Sequence, residues 1–145
     1  MRSIASTDVL RPETRIRARA LQLLYAWELR GWASVDLVVQ RLVRLGGGRI
    51  GDPERVETLA RGVLQHLDRL DGEIEFVADG WPLSRIGVVE RNILRLGLHE
   101  LLETNVPPKV VIDEGVQLAH WFAGEKAPGF VNGVLDALAR RHGRL

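Results

Sequence analysis

The residues of this chain whose types could do catalytic or metal chemistry are few and badly spaced for it. Of the four histidines, His66, His99, His120 and His142, only His99 has a partner at metal-like local spacing, Glu103 one helical turn on. A zinc site needs three or four ligands, so a hydrogen-bonding pair on a helix surface is the better account. The alternating acids Asp71, Glu73 and Glu75 lack the spacing of a calcium loop and suit a solvated helix face. Ser84 has no histidine near it in sequence to activate it as a nucleophile. No cysteine is present, which removes thiolate metal sites, disulfides and a cysteine nucleophile together. A binding protein that needs no cofactor is the class these residues select.

The chemistry that remains belongs to arginine. The stretch RIRARALQLLYAWELR, residues 15 to 30, sets guanidinium groups at every second position ahead of an apolar run. At 100° per residue, Ile16, Ala20, Leu23 and Trp27 share one helix face. Arg11, Arg15, Arg19 and Gln22 fall roughly opposite, with Arg17 and Tyr25 on a flanking ridge. A guanidinium grips phosphate bidentately, a Gln amide reads a base edge, and a Tyr ring offers a stacking platform for an unstacked base. Arginines near a helix start lie beside the positive end of its dipole and gain nothing as helix stabilisers, which favours a ligand. A solvated amphipathic face with i, i+4 pairing explains the same residues without one.

The elements that must position these groups all read as helices. Pro12 suits a first helical position, and the periodicity runs to Gly31. Ser34 can cap a shorter helix with Val35, Val38, Val39 and Leu42 as its stripe. LGGGRIGD is a loop whose glycines break structure rather than cradle phosphate, because no strand precedes them. Asp52 and Pro53 open one long helix to about Ala78, and another starts near Ser84, apolar over most of its girth from Ile86 to Leu102. That breadth predicts a central helix. Pro107 and Pro108 precede a helix with Val111, Gly115, Leu118, Ala119 and Phe122 inward, and a last helix runs from Pro128 through Leu138. The result is an all-α fold with neither strand nor repeat.

The length of 145 residues fits a single domain, and 46% hydrophobic with 27% charged residues is ordinary for a soluble globular chain. Net charge is only +1, so no global electrostatic case for nucleic acid exists. The basic residues instead collect at the ends, in Arg2, Arg11, Arg15, Arg17 and Arg19 and in Arg140, Arg141, His142 and Arg144. Residues 1–11 read as a flexible basic arm. No apolar run approaches the roughly 20 residues of a membrane span, and MRSIASTDVLRPE lacks a signal-peptide core. A cytoplasmic location is expected.

Several separated blocks converge on one family. Arg17, Gln22, Tyr25 and Trp27, with VERNILRLGLHELL (89–102), VPPKVVIDEGVQLA (106–119) and GFVNGVLDALAR (129–140), resemble the NusB family of bacterial transcription antitermination factors. The resemblance implies about six or seven helices in two packed three-helix subdomains, without catalysis. It implies binding of boxA-type RNA of ribosomal RNA leaders jointly with NusE, small-subunit ribosomal protein ten, within an elongation complex containing other Nus factors. With the helix wheel, it makes Arg15, Arg17, Gln22, Tyr25 and Phe130 RNA candidates, and Arg11 and Lys126 join them from this chain's own basic residues. It makes Glu90, Arg91, Arg95 and His99, which stand between the apolar residues of the central helix, the partner candidates; a row of intramolecular salt bridges is the alternative for these four.

The chain also departs from the family's pattern. Glu13 and Thr14 occupy often-basic positions, and Gly129 lacks the basic residue that usually precedes the phenylalanine, while Lys126 stands where an acid is usual. Partial compensation by Arg11 and Lys126, with moderate and salt-sensitive affinity, is the expectation. Two other readings remain open: a helical interaction module that does not bind RNA, and an accessory domain related to the one in ribosomal RNA cytosine methyltransferases.

Overall fold

A computed structural model describes residues 11–31, 34, 36–37, 40 and 52–145. Among them are six α-helices and no strand: α1 (Pro12–Leu29), α2 (Pro53–Gln65), α3 (Leu67–Val77), α4 (Val88–Glu103), α5 (Pro108–Phe122) and α6 (Ala127–Arg141). Residues 1–10 of the basic arm, residues 45–51 of the LGGGRIGD loop and the stripe Val35, Val38, Val39 and Leu42 lie outside the described residues. The chain divides into two compact units, with the boundary between Gly62 and Val63.

In the first unit α1 starts as its sequence demands. Pro12 occupies the first turn, where its missing N–H costs nothing, and Arg15 N–H donates to Arg11 O at 2.9 Å. Gly31 ends the helix in the left-handed region at φ 67°, which a Cβ would strain. Ile16, Ala20, Leu23, Leu24 and Trp27 are buried, as the wheel requires. Ser34 Oγ accepts from Leu37 N–H at 3.2 Å, and Asp36, Leu37 and Gln40 are helical. Asp52 caps α2 through Oδ1, which accepts from Arg55 N–H at 3.2 Å.

The single helix expected from Asp52 to Ala78 is two. At His66 (φ −120°, ψ 25°) the backbone leaves helical geometry, and its N–H turns to Val63 O at 3.2 Å, a tighter i→i−3 bond. Neither glycine nor proline marks the break, and local propensity alone would carry the helix through. The next start is corrected too. Leu83–Arg85 form a 3-10 turn, and α4 begins at Val88 with Gly87 as its cap.

In the second unit α4 is the centre, touching α3, α5 and α6, while α5 packs on α6. Leu135 of α6 enters a niche floored by two glycines. A Cβ on Gly97 of α4 would lie 2.7 Å from Leu135 Cδ2, and one on Gly115 of α5 would lie 2.6 Å from Leu135 Cδ1. Only hydrogen at both positions lets three helices close around this side chain. The end of α4 is closed by the chain's own tail: Arg144 donates to the carbonyls of Leu101, Thr104 (3.4 Å) and Val106 (2.9 Å). A cation there satisfies orphan carbonyls at the negative end of the helix. Glu73 of α3 accepts from Arg141 Nε at 3.0 Å and meets His142 Nε2 at 2.9 Å, joining α3 to the end of α6. Burial pushes the Glu73 carboxyl up, but hydrogen bonds from Arg141 and His142 outweigh it and leave the group below its ordinary range.

Candidate nucleic-acid interface

The first unit keeps fewer of its arginines at the surface than the wheel implies. Arg11 is exposed, and Arg15 and Tyr25 are half-buried, so these three can meet a ligand. Arg17 retains 9% of its surface, Arg19 2% and Gln22 4%. The expectation that Arg19 and Gln22 look outward, opposite the core, is corrected: Arg19 Nη1 donates to Gln22 Oε1 at 3.4 Å, inside the protein. Arg17 and Arg19 also make interactions of their own. The physical reason is that α1 is covered along most of its circumference from Thr14 to Leu24. A wheel assigns directions to side chains but cannot say how many directions are occupied by protein. Thr14 is likewise buried, at 3%, so of the two departures in the arginine run only Glu13 stands where a phosphate could have been met.

The second unit holds a groove of about 980 Å³ between the turn after α3 and the first half of α6. Lys126 and Phe130 line it together with Glu90. Glu90 therefore sits with the RNA candidates of α6 rather than with the other partner candidates of its own helix. Gly87 makes room for it, since a Cβ there would lie 1.9 Å from Glu90 Oε2. Trp81 and Arg85 line the same groove, and both are exposed. Neither was singled out in sequence. The only available signal was the isolation of Trp81 between DG and Pro82, which reads equally well as a turn.

The remaining partner candidates are correspondingly redefined. Arg95 is 2% exposed and grips Asp71 with two bonds, Nε to Oδ1 at 2.7 Å and Nη2 to Oδ2 at 3.0 Å. Its Nη1 donates to Asn92 Oδ1 at 3.0 Å, and Asn92 Nδ2 in turn donates to Val88 O at 2.9 Å. Arg95 is a buried tie between α3 and α4 and does not reach a partner's surface; a guanidinium so deep must be held by a carboxylate of its own chain. Arg91 is half-buried and donates to Ile86 O at 3.0 Å. His99 is half-buried, with Nδ1 enclosed and without a hydrogen-bond partner among the described residues. Burial lowers its pKa, and His66 adds to the lowering while Glu103 and Glu100 oppose it. No described group of three or more His, Asp or Glu is disposed to hold a metal ion.

Residues 14–140 match the NusB family. The chain belongs to that family. A NusB-family relative, transcription antitermination protein NusB of Anaeromyxobacter dehalogenans (strain 2CP-1 / ATCC BAA-258), is 40% identical over 87% of this chain and 89% of its own. The solution structure of NusB from Aquifex aeolicus superposes with a TM-score of 0.78 at 34% identity, covering 92% of this chain and 90% of that one. A crystal structure of antitermination factors NusB and NusE in complex with double-stranded RNA gives 0.77 at 31% identity, over 92% and 99% of the two chains. No described helix of this NusB-family chain is long and apolar enough to cross a membrane.

Proposed function

We propose that this protein is a transcription antitermination factor that binds boxA-type RNA of ribosomal RNA leaders together with NusE, acts in the cytoplasm without catalysis, and supports ribosomal RNA transcription. The observation that carries the proposal is the groove of the second unit, where Phe130 offers a stacking face and Lys126 a cation on one surface. The likeness to a NusB solved with NusE and RNA supports the partner half. Arg11, Arg15 and Tyr25 serve as further RNA contacts on α1. Arg17 and Gln22 act by holding α1 in place rather than by reaching for the ligand. Of the partner candidates, Arg91 and His99 keep surface outside the groove, Glu90 lines the groove with Lys126 and Phe130, and Arg95 ties α3 to α4 from within.

The test is a titration of boxA-type RNA against a scrambled RNA, with and without NusE, at several salt concentrations. NusE should tighten binding to the boxA-type RNA selectively, and the affinity should fall as salt rises. Equal binding of the scrambled RNA, with no effect of NusE, refutes the proposal. A reading as a protein-interaction module alone draws on the burial of Arg17, Arg19 and Gln22. It predicts NusE binding with no RNA dependence in the same titration.

A further inference from the structure

We infer that Trp81 is a base-stacking residue which, with Phe130, encloses one unstacked base bearing an exocyclic amine; the inference rests on the RNA reading above. Trp81 keeps 59% of its surface exposed although its neighbours Leu83 and Ile86 are buried at 9% and 4%. An indole left outside while adjacent smaller side chains are taken in is not explained by the core. Nor is it loosely held. Asp79 and Gly80, at φ 55° and 81°, reverse the chain, and Trp81 N–H donates to Ala78 O at 3.3 Å. Beyond Pro82, Leu83 N–H donates to Glu75 Oε1 at 3.1 Å, fastening the turn back to α3. The backbone that carries the ring is therefore fixed, and only the side chain has to be ordered by a ligand.

The groove's chemistry favours a base over a phosphate. Its ionisable lining is Asp79, Glu90 and Glu125 against Arg85 and Lys126, so carboxylates outnumber cations and a bare anion gains little. An unstacked base presents a π-face to Trp81 and Phe130. If it is adenine, cytosine or guanine it also presents amino hydrogens that a carboxylate accepts. Uracil has no such amine. The volume of about 980 Å³ lies at the upper end of the roughly 300–1,000 Å³ of small-molecule sites, ample for a base with its sugar.

The experiment uses the full chain with NusE and a single-stranded boxA-type RNA carrying 2-aminopurine at one position at a time. One position should be strongly quenched on binding to the wild type. Trp81→Phe should retain that quench. Trp81→Ala should abolish it and weaken binding roughly 5- to 150-fold, the equivalent of about 1–3 kcal/mol for one stacked base. Replacing the base at that position by uracil should weaken the wild type, yet weaken Trp81→Ala much less. Thermal melting of both variants should match the wild type, because the ring is exposed. Wild-type quench and affinity in Trp81→Ala overturn the inference while leaving the RNA reading intact. Failure of the wild type to prefer boxA-type over scrambled RNA overturns both.

Discussion

Gly115→Ala is a substitution for which helix propensity and packing predict opposite signs. On propensity alone, alanine for glycine inside α5 stabilises by about 1 kcal/mol. The new methyl, however, would lie 2.6 Å from Leu135 Cδ1, 3.4 Å from Val131 Cγ1 and 3.6 Å from Ile93 Cγ2. Ordinary carbon contacts are about 3.5–4.0 Å, so Leu135 must move by about 1 Å. Its other methyl already fills the niche at Gly97, and the residue is fully buried, so retreat compresses α4 instead. Overpacking of this kind costs about 1–3 kcal/mol, which leaves a net destabilisation of about 1 kcal/mol, within a range from near zero to 2. Leu135→Ala alone should cost about 2–5 kcal/mol through the cavity it leaves. In that background the same Gly115→Ala change fills part of the void and keeps its propensity gain, so it should stabilise. Urea unfolding followed by far-UV circular dichroism reads all four proteins, with midpoints compared at constant m. Additivity within about 0.5 kcal/mol, or a stabilising Gly115→Ala in the wild type, would refute the reasoning.

Further outcomes follow from the same geometry. Arg95→Ala removes the guanidinium bonds to Asp71 and Asn92 and should cost about 3 kcal/mol in urea unfolding, while affinity for NusE per folded molecule stays at the wild-type value. His99 holds fewer protons folded than unfolded, because burial lowers its pKa; its contribution to stability is therefore full above about pH 6.5 and is lost as pH falls below that. A His99→Gln variant should show a flatter stability profile between about pH 7 and 5, and an NMR titration of the wild type should place this imidazole below the ordinary value. Gly80→Ala, at φ 81°, should destabilise by about 1–2 kcal/mol and blunt the aminopurine quench by displacing Trp81. Arg15→Ala should lower the salt dependence of RNA binding by about one phosphate's worth, whereas Thr14→Arg should unfold α1 locally rather than add a contact, because Thr14 is buried.

Much of this protein is written locally. Pro12, Asp52 and Gly31 mark helix ends because cap and proline chemistry involve only a few neighbouring residues, and each stands where those rules put it. The inward faces of α1, α5 and α6 follow from a period of 3.6 residues, and the girth of apolar residues in α4 foretold its central place. The arrangement of Arg17, Gln22, Tyr25 and Trp27 together with the three blocks between residues 89 and 140 indicated the family, the last two blocks most specifically, because order and spacing together are hard to match by chance.

What tertiary structure alone decided is which polar side chains remain available. Arg17, Arg19, Gln22 and Arg95 look in sequence like surface groups, since charge is normally solvated. They are buried because neighbouring protein covers those directions and, for Arg95, because Asp71, 24 residues earlier, supplies the compensating carboxylate. The break at His66 has no local signal either. Trp81 shows the converse: between DG and Pro82 it reads in sequence as part of a turn, and only the fold places it, exposed, in the groove that Phe130 also lines. Periodicity and capping are short-range and legible one segment at a time, whereas exposure is a property of everything packed around a residue, and it is exposure that divides the proposed RNA candidates into exposed and buried side chains.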